Sequence, residues 1–107
     1  MATGVYKVLA QGQLAAATAA IGSPSGVDWI VSKIVVVNND SSARTFGIFY
    51  GGSAASNVVI PTTTSLAASG GRAEWSGLQP VADGSTIQGV ASVATQLTYT
   101  IWGRTVS

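Results

Sequence analysis

The stretch Asp28–Asn38, D-W-I-V-S-K-I-V-V-V-N, decides the fold of this chain. It is dominated by β-branched and aromatic residues, which favour extended strands. Strict alternation places two sets of residues on opposite faces: Trp29, Val31, Lys33, Val35 and Val37 on one, and Ile30, Ser32, Ile34 and Val36 on the other. Because apolar residues dominate both faces, we expect a central strand covered on both sides. Lys33 then marks the point where one face meets solvent or a neighbouring subunit.

Similar short patterns flank this stretch on both sides. Predicted strands are residues 5–14, 44–50, 58–60, 72–76, 85–91 and 96–104. Pro61 is expected to end the third of these, because proline cannot donate a ladder hydrogen bond. Residues 62–71 form either a loop or a weak edge strand, and residues 15–20 a connector of small residues. Seven to eight short strands at this spacing predict an all-β fold: a single antiparallel β-sandwich, jelly-roll-like, over residues 1–107. Residues 1–6 are a candidate N-terminal arm.

The last predicted strand alternates most clearly. Leu97, Tyr99 and Ile101 face one way. Trp102 lies on the opposite face, which otherwise carries threonines and an arginine. Two interpretations remain open for it: a solvent-exposed side chain, or one that fills a subunit interface, where tryptophan is enriched.

Charged residues are scarce. They make up 8% of the chain, against about 25% in an ordinary soluble domain. There is no His and no Cys, which excludes Ser–His and Cys–His catalytic pairs and His- or Cys-ligated metal sites. Each acid has a structural explanation: Asp40 and Asp83 lie in turn sequences, Asp28 precedes a strand, and Glu74 can pair with Arg72. We therefore expect no enzyme activity, no catalytic residues, no cofactor and no metal.

Nucleic acid and membrane are also unexpected partners. The five cations are scattered singly along the sequence: Lys7, Lys33, Arg44, Arg72 and Arg104. They do not form the basic patch that nucleic-acid binding draws on. The longest strongly apolar stretch, residues 29–37, is far shorter than the about 20 residues of a membrane-spanning helix.

The three tryptophans are candidates for a binding function. Trp29, Trp75 and Trp102 would suit a stacking platform for sugars, as in carbohydrate-binding modules. Core packing is the usual role of tryptophan in a strand, so this interpretation competes with a purely structural one.

Four segments carry a resemblance to a known family. They are Y-K-V-L-A-Q-G-Q-L (residues 6–14), I-V-S-K-I-V-V-V-N (30–38), G-R-A-E-W-S-G (71–77) and A-D-G-S-T-I-Q-G-V-A-S (82–92). Together they resemble the small β-sandwich virion proteins of tailed bacteriophages, in which a strand of the K-I-V-V-V-N form is followed by a turn, a second apolar strand and a late hairpin. These motifs are structural rather than catalytic, and other jelly-roll proteins use the same turns.

The resemblance implies a non-enzymatic component of a virion. The first expectation is a head decoration or cement subunit that binds the major capsid protein as a homo-oligomer and stabilises the capsid. The alternatives are a neck or tail component, such as an adaptor or a tail-decorating subunit, and a carbohydrate- or receptor-binding module that uses Trp102 or Trp75.

Overall fold

The computed structural model describes residues 6–51 and 57–106. These residues form eight strands and no helix: β1 (Lys7–Gln13), β2 (Ala19–Gly22), β3 (Asp28–Asn38), β4 (Arg44–Tyr50), β5 (Val58–Leu66), β6 (Arg72–Val81), β7 (Ile87–Ala91) and β8 (Leu97–Val106). The all-β prediction is confirmed. Residues 1–5 of the candidate arm and residues 52–56, between the predicted strands 44–50 and 58–60, lie outside the described residues.

The strands form two antiparallel sheets of four. Their orders are β1-β8-β3-β6 and β2-β7-β4-β5. Each early strand thus pairs with a late one: β1 with β8, β2 with β7, β3 with β6, and β4 with β5. This is the pattern of one long hairpin rolled into two layers, which is the jelly-roll arrangement. The predicted sandwich of jelly-roll type is confirmed.

The core lies between the two sheets. Its largest fully buried side chains come from both layers and from the β1–β2 connection: Leu14, Val31, Val36, Phe46, Ile48, Val81, Ile87, Leu97 and Ile101. The predicted alternation of β8 is confirmed, since Leu97, Tyr99 and Ile101 are buried while Thr98, Thr100 and Trp102 remain partly accessible.

The predicted faces of β3 are wrong beyond its first residues. A β-bulge between Val31 and Lys33 shifts the pairing with both neighbouring strands. Because a one-residue shift reverses every following side chain, Trp29 and Val31 point inward before the bulge, and Ile34 and Val36 point inward after it. The strand is central in its sheet, as expected, but the second sheet covers only one of its faces.

Two further predictions, which concern the sheet β2-β7-β4-β5, are also wrong. Pro61 does not end a strand, because β5 runs through it to Leu66. This is allowed since β5 lies at the edge of its sheet, where a missing N–H removes no ladder bond. Strand β2 falls partly in the expected small-residue connector. Ile21 is the one large buried side chain of β2, so the sequence has no alternating pattern from which this strand could be predicted.

The remaining boundaries shift by a few residues. Strand β6 continues to Val81 rather than residue 76, and β8 continues to Val106 rather than residue 104. Strand β7 begins at Ile87, two residues later than predicted. Strand β1 lies inside the predicted 5–14 segment. The prediction for β4 matches residue for residue.

Candidate interaction surface

The outward side of the β1-β8-β3-β6 sheet, which we call the Trp102 face, is the candidate site. Trp102 belongs to β8, an inner strand of this sheet, and points away from the core. Its direct cross-strand neighbours are Val8 on β1 and Lys33 on β3. Cross-strand neighbours on one face lie about 5 Å apart at their β-carbons, so these three side chains form one row.

Exposed apolar side chains concentrate around this row. Of the four exposed large hydrophobic residues in the described part of the chain, three belong to strands or termini of this sheet: Tyr6 (58% exposed), Val8 (40%) and Leu78 (76%). Leu78 lies in a bulge of β6 and precedes Gln79, which pairs with the inward-pointing Val31. Alternation therefore directs Leu78 outward. Exposed apolar side chains on one face of a sheet make that face a candidate for contact with a partner.

Tyr6 is held on the Trp102 face by its hydroxyl. That hydroxyl is hydrogen-bonded to the hydroxyl of Ser32 in the bulge of β3. Ser32 Oγ also donates to the carbonyl oxygen of Trp102 at 3.4 Å. Because β8 separates β1 from β3, the tyrosine side chain must cross β8 beside Trp102 to reach Ser32. The one described residue of the candidate N-terminal arm thus forms part of this face.

Two cations of the face pair with the same carboxylate. Glu74 lies between two cations: its Oε2 is 2.9 Å from Arg72 Nη2, and its Oε1 is 3.5 Å from Lys33 Nζ. The predicted Arg72–Glu74 pair is confirmed, while the Lys33 contact was missed because it depends on the register between β3 and β6. Exposed pairs of this kind contribute little stability. The single carboxylate leaves the Lys33–Glu74–Arg72 group with one net positive charge, and Arg104 on β8 adds a further cation to this face.

The other half of the face is rich in hydroxyl and amide groups. Thr98 and Thr100 lie opposite Val37 and Val35 on β3 and opposite Gln13 and Gln11 on β1. Gln11 Nε2 donates to Thr100 Oγ1 at 3.0 Å. The polar groups thus bond partly to one another.

The three tryptophans do not form one platform. Trp29 is buried in the core. Trp75 pairs across the strands with the buried Ile34 and packs against the core from β6. Only Trp102 points outward, so the structure brings together none of the three stacking partners that the sequence offered.

A cleft of about 240 Å³ lies where β3 begins and β6 and β8 end. Trp29, Tyr50, Pro80 and Val106 line it, together with the acid Asp28. This volume is below the about 300–1,000 Å³ of ordinary small-molecule pockets. Asp28 serves the local structure, since its Oδ1 accepts the backbone N–H of Asp83 at 2.8 Å. The cleft therefore carries no ligand site on its own.

The remaining acids also act locally. Asp83 Oδ1 accepts the backbone N–H of Gly26 at 3.1 Å, which joins two loops beside the cleft. Asp40 Oδ2 is 2.5 Å from Arg44 Nε, and this hydrogen bond lowers the pKa of the Asp40 carboxyl. Across residues 6–51 and 57–106, no group of three or more acidic, histidine or cysteine side chains is placed to hold a metal ion. The same residues contain no helix long and apolar enough to cross a membrane.

No family model, curated protein or solved structure matches the chain. The fold is shared more widely, because jelly rolls occur in viral capsid proteins, lectins and cupins. Since one fold hosts unrelated functions, the surface and not the topology has to carry a functional conclusion.

Proposed function

We propose that this chain is a structural, non-enzymatic subunit of a tailed-phage particle, namely a head decoration or cement subunit in the virion that binds the major capsid protein and stabilises the shell. The observation that carries the proposal is the Trp102 face, which suits a subunit that is buried in an assembly of proteins. It presents Tyr6, Val8, Trp102 and Leu78 on a small domain that has few charges anywhere. The phage setting itself rests on the resemblance of the sequence segments.

The chemistry of this surface suits burial against another protein. Hydroxyl and apolar groups cost less to remove from water than ions do. A subunit that binds only the assembled shell stabilises it by mass action, in proportion to the logarithm of its free concentration over the dissociation constant. A surface rich in apolar and hydroxyl groups therefore supports a cement role better than a role that depends on a charged field.

The carbohydrate-binding alternative is less well supported. Two of the three tryptophans that the sequence offered for stacking on sugars, Trp29 and Trp75, point into the core. Among the described residues, Trp102 keeps only Tyr6 beside it as an aromatic neighbour on the face. A glycan array, with Trp102→Ala as its control, addresses this alternative directly. Binding that Trp102→Ala abolishes would favour it over the cement role.

The test is the copy number of the chain in purified particles, measured by quantitative mass spectrometry against the major capsid protein. A copy number equal to that of the capsid protein, or a simple fraction of it, supports the proposal. A handful of copies per particle moves the chain to the neck or tail, and absence from the particle overturns the virion role. Density for the subunit on the shell in a map of the whole particle is the matching structural observation.

A further inference from the structure

We propose that the Trp102 face is where copies of this chain meet, so that a second copy covers it in the functional oligomer. This inference deepens the proposed function and rests on it for the setting in which the copies assemble. It identifies the partner at the face as a neighbouring copy of the chain, which leaves the remaining surface of the oligomer to bind the capsid protein.

The edge strands indicate that two copies associate through a face of a sheet and not by pairing strands edge to edge. In each sheet the two outermost strands could in principle pair with another chain, but each carries a feature that opposes this. Strand β1 has a bulge between Val8 and Ala10, and β2 is four residues long. Strand β5 contains Pro61 and two register shifts. Strand β6 contains the Leu78 bulge and Pro80. Extension of either sheet by a neighbouring strand is thereby disfavoured.

The area of the Trp102 face matches the needs of a stable interface. The sheet has four strands, and the longest of those on this face are ten to eleven residues. At about 4.8 Å between strands and about 3.3 Å per residue, its flat projection is roughly 600 Å². Side chains corrugate this surface and increase its accessible area. A standard interface buries about 800 Å² on each partner, so one whole face, rather than a corner of it, must be covered.

The distribution of side chains agrees with an interface centre and rim. Trp102 lies on an inner strand, where a tryptophan anchor is most fully enclosed, and tryptophan is among the residues that contribute most to association. The charged groups other than Lys33 lie towards the periphery: Lys7 on the edge strand, Arg72 and Glu74 on the opposite edge strand, and Arg104 towards the end of β8. Lys33 shares the carboxylate of Glu74 with Arg72. Two such faces can pack as sheets do, about 10 Å apart.

The other sheet offers a matched control. Val58 lies on the edge strand β5 and is 40% exposed, as Val8 is on the edge strand β1. Sedimentation equilibrium of the purified full chain should show an oligomer. Val8→Glu should raise its dissociation constant at least about tenfold, because a charge would be buried in the contact, whereas Val58→Glu should leave it unchanged. Leu78→Ser, at a 76% exposed position, repeats the test without disturbing the fold.

A second measurement uses the absence of cysteine from the sequence. Thr100→Cys places one thiol on the Trp102 face, and Gln88→Cys places one on β7 of the other sheet. If the Trp102 face is covered, maleimide labelling at position 100 should slow with rising protein concentration and labelling at position 88 should not. A monomer at all concentrations, protection at position 88 instead, or greater sensitivity to Val58→Glu than to Val8→Glu would each overturn the inference. A chain that is monomeric in solution yet abundant on particles would reject the self-contact and keep the decoration role.

Discussion

The side-chain nitrogen of Asn38 lies 3.2 Å from the carbonyl oxygen of Leu66, and this contact joins the end of β3 in one sheet to the end of β5 in the other. The same nitrogen lies 3.2 Å from the carbonyl oxygen of Ala67 and 3.0 Å from that of Ser42. The side-chain oxygen accepts the backbone N–H of Asp40 at 2.9 Å. Asn38 is fully buried, and its side chain satisfies the buried carbonyl group of Leu66 together with three part-buried backbone groups.

Asn38→Ala should therefore lower the free energy of unfolding by about 3 kcal/mol, because several backbone groups lose a buried partner at once. Urea denaturation measures the change. Asn39→Ala is the matched control: Asn39 is exposed and its side chain donates to Thr98 Oγ1. It should cost less than about 1 kcal/mol. Equal costs at the two positions would contradict the role assigned to Asn38.

Gly103 supports the close approach of β8 to β3. A β-carbon at this position would lie 2.1 Å from the carbonyl oxygen of Ile30, a backbone atom that cannot rotate away. Gly103→Ala should destabilise the fold by about 3 kcal/mol, the upper end of the usual overpacking cost. At Gly77 the nearest atom is a ring carbon of Trp75 at 3.2 Å, which can shift slightly. Gly77→Ala should thus cost less than about 1 kcal/mol, and chemical denaturation of the two variants side by side distinguishes the positions.

The Asp40–Arg44 pair should contribute to the acid limb of stability. The hydrogen bond from Arg44 is the main cause of the lowered pKa of Asp40. Since the folded pKa lies below the unfolded value of about 3.9, the contribution is present above that value and is lost as pH falls through the folded pKa. Arg44→Met should reduce this pH dependence, measured as the melting temperature between about pH 6 and pH 2. An unchanged acid profile would show that the pair contributes nothing.

Ionisation of Tyr99 should lower the stability of the fold at alkaline pH. Its side chain is buried against the core, and this burial raises the pKa of the phenol. Because the folded pKa lies above the unfolded value of about 10, the stability linked to the neutral phenol is complete below that value and is lost as pH rises through the folded pKa. Tyr99→Phe should flatten the decline in urea midpoint above about pH 10. The same slope in both proteins would refute this role.

Much of the fold could be predicted from the sequence because several strands alternate apolar and polar residues without interruption. Strand β8 shows this best: Leu97, Tyr99 and Ile101 share one face, as its alternation predicted, and that face is buried. The faces of β3 could not be predicted beyond its first residues, because the order of apolar residues in the sequence does not indicate the bulge at Ser32. Strand β2 was missed because alanine and glycine around Ile21 carry no alternation. The prediction for Pro61 was wrong because the position of β5 at the edge of its sheet depends on how all the strands pair, which the sequence of this segment alone does not show.

The candidate site was partly readable for the same reasons. The outward direction of Trp102 followed from the alternation of β8. Tyr6 and Leu78 were not recognised, because one reaches the face by crossing another strand and the other is exposed by a bulge. Both depend on contacts between segments far apart in the sequence, which a single strand pattern does not contain.

The pairing of β1 with β8 also governs when this protein can fold. The first sheet needs β8 at its second position, between β1 and β3, and β8 comes last in the chain among the eight strands of the sandwich. Until Leu97–Val106 has left the ribosome, β1 has no partner in its sheet and β3 lacks one of its two. Loop closure over such separations is slow, and unpaired strands are prone to aggregate meanwhile. The first sheet is therefore completed only after residue 106 has been synthesised, and a nascent chain held on the ribosome before residue 97 would remain open to proteases.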